Sequence, residues 1–242
     1  MLLTHTSTGT VAARLAVTRD EIDAAECLVH DVYVARGLRD AAARPGGQAS
    51  AGAVVFVARI DGIVGATLSL IPEGARGLPA DALYGAELAE RRRQRRRLAE
   101  ISALAVEHGC RGATLALVRP LIQLVGIYAR DIEGVDELCI AVHPRHARFY
   151  ERAFGFTRFG DEKAYHAVKG APAVGLRLDL HRPPLAGALS ATLFQPSDIA
   201  RVRAALDADL RGRAAAVESR VQKFQSRPPA RAVRDFMTAE VC

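Results

Sequence analysis

The sequence predicts an α/β (α+β) domain, a mixed central β-sheet flanked by helices, followed by a C-terminal helical extension. Three observations carry this. Helix-like and strand-like segments alternate from Ala13 to Leu180 in the order helix, hairpin, strand, helix, strand, helix, strand. An Asp61-Gly62 pair lies between two β-rich runs, a hairpin signal that places antiparallel pairing within the sheet. From Leu185 the composition shifts to a long amphipathic helical stretch, so residues 1–184 read as one domain and 185–242 as a mainly helical extension.

The elements follow in chain order. A short β-leaning run, Ala13 to Val17, leads to Thr18, which caps a helix with Glu21 three residues on. Ile22, Ala25, Leu28, Val29, Val32 and Tyr33 recur at three and four, which makes that helix amphipathic. Asp40 to Gly52, rich in Ala, Gly and Arg, reads as a loop, and AVVFVARIDGIVGATLSLI as the hairpin. Glu73 to Pro79 is a turn-rich connection, DALYGAELAERRRQRRR is helical, and Leu98 to Val106 is a strand. TLALVRPLIQLVGIYARD predicts a buried helix distorted by Pro120. DELCIAV is a further strand, HPRHARFYERAFGF a short helix ending at Gly155, and Lys163 to Leu180 holds two more β-like pieces around Gly170. In the extension, Ser197 reads as a helix cap, Gly212 weakens a single continuous helix, and Pro228-Pro229 breaks it.

With 242 residues, half of them hydrophobic, the chain can bury a substantial core. Lys and Arg number 33 against 27 Asp and Glu, and six arginines crowd the seven positions Arg91 to Arg97. Such a cluster points to an acidic partner: nucleic acid, anionic lipid or an acidic protein. Cys27, Cys110, Cys139 and Cys242 form no CxxC pair and no Cys/His cluster, so neither a disulfide framework nor a metal site is indicated. A reducing cytoplasm is the simplest expectation. The opening lacks the pattern of a signal peptide, and no segment holds eighteen uninterrupted apolar residues, so no transmembrane span is expected.

Several of these segments together resemble the GNAT-like acyltransferase fold. More closely they resemble its branch of N-acyl amino acid synthases of the FeeM type, related to acyl-homoserine-lactone synthases. The pieces are "ECLVHDVYVARG", "DGIVGATLSL", "GLPADALYGAELAE", "RRLAEISALAV", "HPRHARFYERAFGF" and "YHAVKGAPAVGLRLDL", covering most of Val11 to Leu180. The order of GLPxD, LAEISALAV and PRHxRFY is the specific part. The resemblance implies transfer of a long-chain acyl group from acyl carrier protein to the α-amine of an amino acid, tyrosine-like acceptors included. It also implies that the strands at Leu98 to Val106 and Asp136 to Val142 splay apart to admit the pantetheine arm. The acyl-phosphopantetheine of the carrier protein is then the donor, with no permanently bound cofactor.

Attack of an amine on a thioester needs a base, an oxyanion stabiliser and a proton for the departing thiolate. Glu100 is the one carboxylate in an apolar strand and matches the strand that often supplies the base in GNAT enzymes. Desolvation by Ile101 and Leu104 is expected to raise its pKa, against the opposing charge of Arg97. Backbone N–H groups near Leu104 are expected to meet the oxyanion, and Ser102, Leu104 and Val106 on this strand, with His143, are expected to contact the substrate. Tyr150 matches the helix tyrosine that protonates the thiolate, although the spacing Tyr-Glu-Arg-Ala-Phe-Gly-Phe is one residue longer than in many acetyltransferases. A core tyrosine is the competing reading. His146 and His143 open the same helix, as proton shuttles or as structural hydrogen-bonders.

After the strand, EHGCRGATLALVRP keeps Arg111-Gly112 but not the glycine-rich loop that grips the diphosphate of CoA. A carrier protein presents one phosphodiester, so the gap favours it as donor, with Arg111 a candidate phosphate contact. Arg97 and Arg14 are both candidates for the acceptor carboxylate. The aliphatic surfaces of Leu115 to Tyr128 and Val64 to Leu70 offer either an acyl slot or plain core. Arg92, Arg95 and Arg96 are expected to dock the acidic carrier protein, with a solvated basic face as the bland alternative. Specific nucleic-acid binding is disfavoured by the lack of interleaved aromatics and of a recognition module. The other readings are an acyl-homoserine-lactone synthase, an acetyl-CoA-dependent N-acetyltransferase and a basic binding protein. For the extension they are a cover for the acyl slot, a dimer contact and peripheral membrane contact.

Overall fold

The computed structural model describes residues 1–6, 9–43, 52–182 and 196–225. Its centre is one eight-stranded sheet in the order β1-β2-β3-β4-β5-β6-β8-β7. In chain order the strands are β1 (Leu2–Thr6), β2 (Gly9–Leu15), β3 (Val54–Ile60), β4 (Ile63–Pro72), β5 (Leu98–Val106), β6 (Glu137–Val142), β7 (Thr157–Tyr165) and β8 (Ala171–Asp179). Every neighbouring pair is antiparallel except β5 and β6. That parallel pair needs a crossover, supplied by the helix between them.

The helices are α1 (Arg19–Ala35), α2 (Asp81–Arg93), α3 (Thr114–Asp131), α4 (Pro144–Phe154) and α5 (Pro196–Gln225). The expected capping box starts α1, with Thr18 Oγ1 accepting from the Glu21 N–H and the Glu21 carboxylate accepting from the Thr18 N–H. Gly155, left-handed at φ 76°, ends α4. The six-arginine run does not stay helical: α2 stops at Arg93, and Arg95 turns the chain at φ 58°.

Helix α3 is the core helix. It remains one helix through Pro120, and twelve of its eighteen residues are buried. By length and composition it could cross a membrane, but here its apolar surface packs on β2 to β5 and on α5. Leu117, Leu121, Val64 and Leu70 thus belong to packed core or its margin. Helix α5 runs without a break past Gly212 and begins one residue ahead of Ser197. It buries Val202, Ala205 and Leu206 against the domain, while Asp209 accepts from the Leu15 N–H at 3.1 Å. The Pro228-Pro229 break and most of the Asp40 to Gly52 loop lie outside the described residues. Strand β1 is an addition to the sequence reading.

Candidate active site

Strands β5 and β6 pair only at Leu98–Glu137, Ala99–Leu138 and Glu100–Cys139. From Ile101 onward β5 stays with β4 and β6 follows β8, so the sheet opens as a wedge with Glu100 at its closed apex. The splay expected between these strands is therefore present. Its cause lies in β5 itself. Ser69 pairs Ser102 and Thr67 pairs Ala105, which leaves Ala103 and Leu104 together opposite Leu68. Ala103 takes φ 53°, a conformation that costs a residue with a Cβ on the order of 1 kcal/mol. Such a bulge bends its strand and shifts side-chain alternation by one. Ala99 and Ile101 accordingly face the α3 side before it, and Leu104 and Val106 face that side after it. Backbone groups near Leu104 sit on the edge of β5 that has no strand partner.

Glu100 is 3% exposed and faces the opposite layer, toward the start of α2 and Cys139. Its Oε2 accepts from the Ala80 N–H at 2.7 Å. Burial pushes its pKa up to about 7, the Ala80 hydrogen bond opposes the shift, and neighbouring Asp81 adds to it. The direction of the shift is as expected, but its neighbours differ. Ile101 points to the other face, and Arg97 is held by the Glu133 carbonyl instead. The Ala80 N–H is what favours the charged form.

Around this apex gather groups that are far apart in sequence. Tyr33, in the last turn of α1, is half-buried; burial raises its pKa, Arg39 and Arg36 lower it, and Glu100 raises it. Tyr165, at the end of β7, is raised to about 12 by burial, with Glu100 and Tyr33 adding to the effect. Tyr150 belongs to the opposite layer, among Phe149, Phe154 and Phe156. It still senses Tyr33 and Arg36, and burial pushes its hydroxyl well above its ordinary value. The wedge thus lets groups of both layers meet. The pKa of His146 is lowered by burial first and then by Arg145, Arg36 and His143, which favours its neutral form. His143 is the cap of α4, its Nδ1 accepting from the Arg145 N–H at 3.2 Å. That commits one ring nitrogen to structure.

Sequence reasoning singled out Glu100, Tyr150, His146 and the β5 residues; Glu100 lies on one face of the sheet and Tyr150 and His146 share α4, with Tyr33 and Arg36 between them in electrostatic reach. It missed Tyr33, Arg36, Arg39 and Tyr165. Helical periodicity had assigned Tyr33 to a core stripe, and nothing in the local pattern of the other three marks them.

The arginine run is elsewhere. It lies behind the apex, whereas the mouth of the wedge at Val106 is six residues beyond Glu100, roughly 20 Å along the strand. Arg91 and Arg96 bind the carboxylate of Glu137, which is 1% exposed; Arg96 also binds Asp179, and Arg177 reaches Glu137 at 3.7 Å. Arg92 forks onto Asp81 and reaches Glu73, and Arg93 pairs with Glu90. Arg92, Arg95, Arg96 and Arg97 line a separate cavity of about 410 Å³ with Pro72, Leu98 and Val135. Arg92, Arg95 and Arg96, expected to dock the carrier protein, lie at the Leu98 end of β5, and Arg92 and Arg96 are matched by acids. Neither candidate for the acceptor carboxylate reaches the apex group. Arg14 lies on β2 between Glu21 and Asp209, and Arg97 lines the rear cavity.

At the mouth, β5 leads into a short 3-10 turn, His108–Ala113, before α3. The Glu107 carboxylate accepts from the Cys110 N–H at 3.2 Å and so occupies part of the anion-facing backbone with the chain's own charge. The first turn of α3 carries neither acid nor side-chain cap, and Arg111 beside it is exposed. Among the described residues no group of three His, Cys, Asp or Glu side chains is arranged to hold a metal.

The family described as N-acyl amino acid synthase FeeM matches residues 24–179. FeeM from uncultured soil microbes, a solved N-acyl amino acid synthase, is 32% identical, with 71% of this chain and 90% of that one covered at a TM-score of 0.63. TofI, solved with an inhibitor and MTA, is 18% identical over 78% of this chain and 98% of its own, with a TM-score of 0.56. BjaI, a CoA-dependent acyl-homoserine lactone synthase, is 19% identical over 80% and 98%, with a TM-score of 0.53. The last two are similar in fold. Among curated proteins none matches the sequence.

Proposed function

The chain belongs to the FeeM family of N-acyl amino acid synthases and is an N-acyltransferase; from that premise we propose that it moves a long-chain fatty acyl group from acyl carrier protein to the α-amine of an amino acid, tyrosine-like acceptors included. The observation that carries this is Glu100, buried at the apex of the wedge with its pKa raised to about 7. A base with that pKa is half in its active form at neutral pH, which is where proton transfer from an attacking amine is most effective.

In this mechanism the acyl-pantetheine arm enters at Val106 and Val142 and lies along the unpaired edge of β5, beside Ser102 and Leu104. Glu100 takes the proton as the amine attacks the thioester carbon. The oxyanion is met by backbone N–H groups at the Ala103-Leu104 bulge, whose geometry is fixed before substrate arrives. Collapse expels the pantetheine thiolate, and Tyr150, protonated throughout the working range, returns a proton to sulfur. His146, neutral, is a relay between that hydroxyl and solvent.

A carrier-protein donor is supported by Glu107, which occupies backbone that a diphosphate would use, while the uncapped first turn of α3 and Arg111 suit one phosphodiester. Docking of the carrier then falls to exposed cations at the mouth, Arg111 after β5 and Arg145 and Arg148 on α4 directly after β6, and with this donor the enzyme works in the cytoplasm. The domain 1–184 is read as holding the site, and in the extension 185–242 helix α5 packs against it as support.

The test is incubation with carrier-protein thioesters of graded chain length and a pool of amino acids, read by mass spectrometry. An N-acyl amino acid is the expected product, and none under turnover conditions sinks the proposal. Equal kcat/KM with acyl-CoA of matched length removes the carrier protein alone.

A further inference from the structure

Two guanidinium groups lie beside Tyr33, which also senses Glu100. Arg39 lies over the ring of Tyr33, 5.6 Å from its centroid, and its Nη2 is buried without a hydrogen-bond partner. Arg36 ends α1 with its side chain exposed, and its charge reaches Tyr33, Tyr150 and His146. Among the described residues no carboxylate pairs with either. A buried guanidinium N–H left unmatched is costly, and in native proteins such an orphan calls for an acceptor supplied from elsewhere. Arg39 is also preset. Its guanidinium carbon stands over the Tyr33 ring, and the next residue, Asp40, pairs with Lys169 in the β7–β8 connection just beyond Tyr165. An exposed ion pair thus links the turn that carries Arg39 to the connection that follows Tyr165.

We infer that Arg39, with Arg36 beside it, is the fork that binds the carboxylate of the acceptor amino acid and so selects α-amino acids over simple amines. The inference rests on the acyl-transfer reading above. A planar guanidinium matches a carboxylate with two parallel hydrogen bonds, and stacking on an aromatic ring restricts it to one orientation. In an α-amino acid the amine and the carboxylate share one carbon. An arginine that fixes the carboxylate therefore also fixes the amine relative to Glu100. Two positive charges beside the ammonium further assist its loss of a proton.

The test compares an acid with its decarboxylated counterpart: L-tyrosine with tyramine, and L-leucine with isoamylamine. Calorimetry gives their Kd values and steady-state assays their kcat/KM on the wild type, Arg39→Ala and Arg39→Lys, with circular dichroism verifying the fold. The wild type is expected to prefer the acid in both measurements. Arg39→Ala should reduce the acid-to-amine ratio roughly 10- to 100-fold, while KM for the acyl donor moves little. Arg39→Lys, which keeps the charge but not the fork, should fall between. A ratio that survives Arg39→Ala, or a wild type that binds amine as well as acid, overturns the inference. Calorimetry decides this even where no N-acyl product forms, and that lack of product counts against the acyl-transfer reading alone.

Discussion

The two ends of β5 make opposite use of charge. Behind Leu98 six arginines are packed into seven positions, yet Arg91, Arg92 and Arg96 are matched by Glu137, Asp81, Glu73 and Asp179. At the apex Glu100 is buried, among the described residues without a salt bridge, and Arg36 at the end of α1 and Arg39 in the turn beyond it stand beside Tyr33 with no carboxylate partner there. The end that is rich in charge is neutralised into structure, and the end that is poor in charge keeps it reactive. Density of charge in a sequence is thus a poor guide to charge that is free to act on a ligand.

The largest effect that would break this contrast concerns Glu100. Glu100→Gln should lower kcat roughly 10²- to 10⁴-fold, as loss of a general base does, with donor binding nearly intact in a filter or polarisation assay. Unchanged turnover would make Glu100 a mere support for the start of α2.

Next comes Glu137, the hub of the rear network. Glu137→Ala strands Arg91 and Arg96 and should cost about 2–4 kcal/mol in urea denaturation, the arginines being partly exposed, while kcat measured well below the melting temperature stays within a few-fold. A collapse of kcat in folded protein would erase the distinction between the two ends.

The pH dependence separates them further. Because Glu100 must be deprotonated to act, its contribution to kcat/KM should rise tenfold per pH unit below about 7 and flatten above it. Stability should run the other way. The folded protein holds the Glu100 proton up to about pH 7, whereas the unfolded chain releases it near the ordinary carboxylate value, so between these limits the folded state binds more protons and stability falls as pH rises. Glu100→Gln should therefore be more stable than wild type at pH 8, by about 1–3 kcal/mol, with the gap closing toward pH 4. A constant difference across that range would remove the buried charge from the account.

The smallest effects are at the surface. Arg111→Ala should raise KM for the acyl donor about two- to fivefold at low salt, in keeping with one exposed charge contact. Arg95→Ala, behind the apex, should leave that KM unchanged. The reverse result would return carrier docking to the arginine run.

Much of the fold was legible because its signals are local. Thr18 and Glu21 cap α1, Asp61-Gly62 turns the hairpin, Gly155 ends α4, and the strand bounds Leu98 and Val106 agree with the structure. Strand β1 was not legible: Leu2 to Thr6 has little apolar period, and its place comes from pairing with β2. Gly212 misled for a related reason. Packing of Val202 and Leu206 outweighs a propensity penalty of about 1 kcal/mol. At the site, Glu100 was visible as a carboxylate in an apolar run. The same signal was present at Glu137 in DELCIAV, and it marked the partner of the arginines, 46 residues from Arg91. Tyr33, Arg39 and Tyr165 were invisible because only the crossing of α1 over β5 and the return of β7 bring them to the apex.

The bond from the Leu15 N–H to Asp209 spans 194 residues. Leu15 is fully buried, so until α5 arrives that N–H has no acceptor and the surface of α3 that α5 covers stands open to water. On a ribosome that adds residues in order, the domain carrying the active site stays unfinished through the synthesis of everything between. Contacts so distant in sequence also slow folding. Fragments ending before Pro196 should consequently collect as aggregating, chaperone-bound species, even though they contain every residue of the wedge.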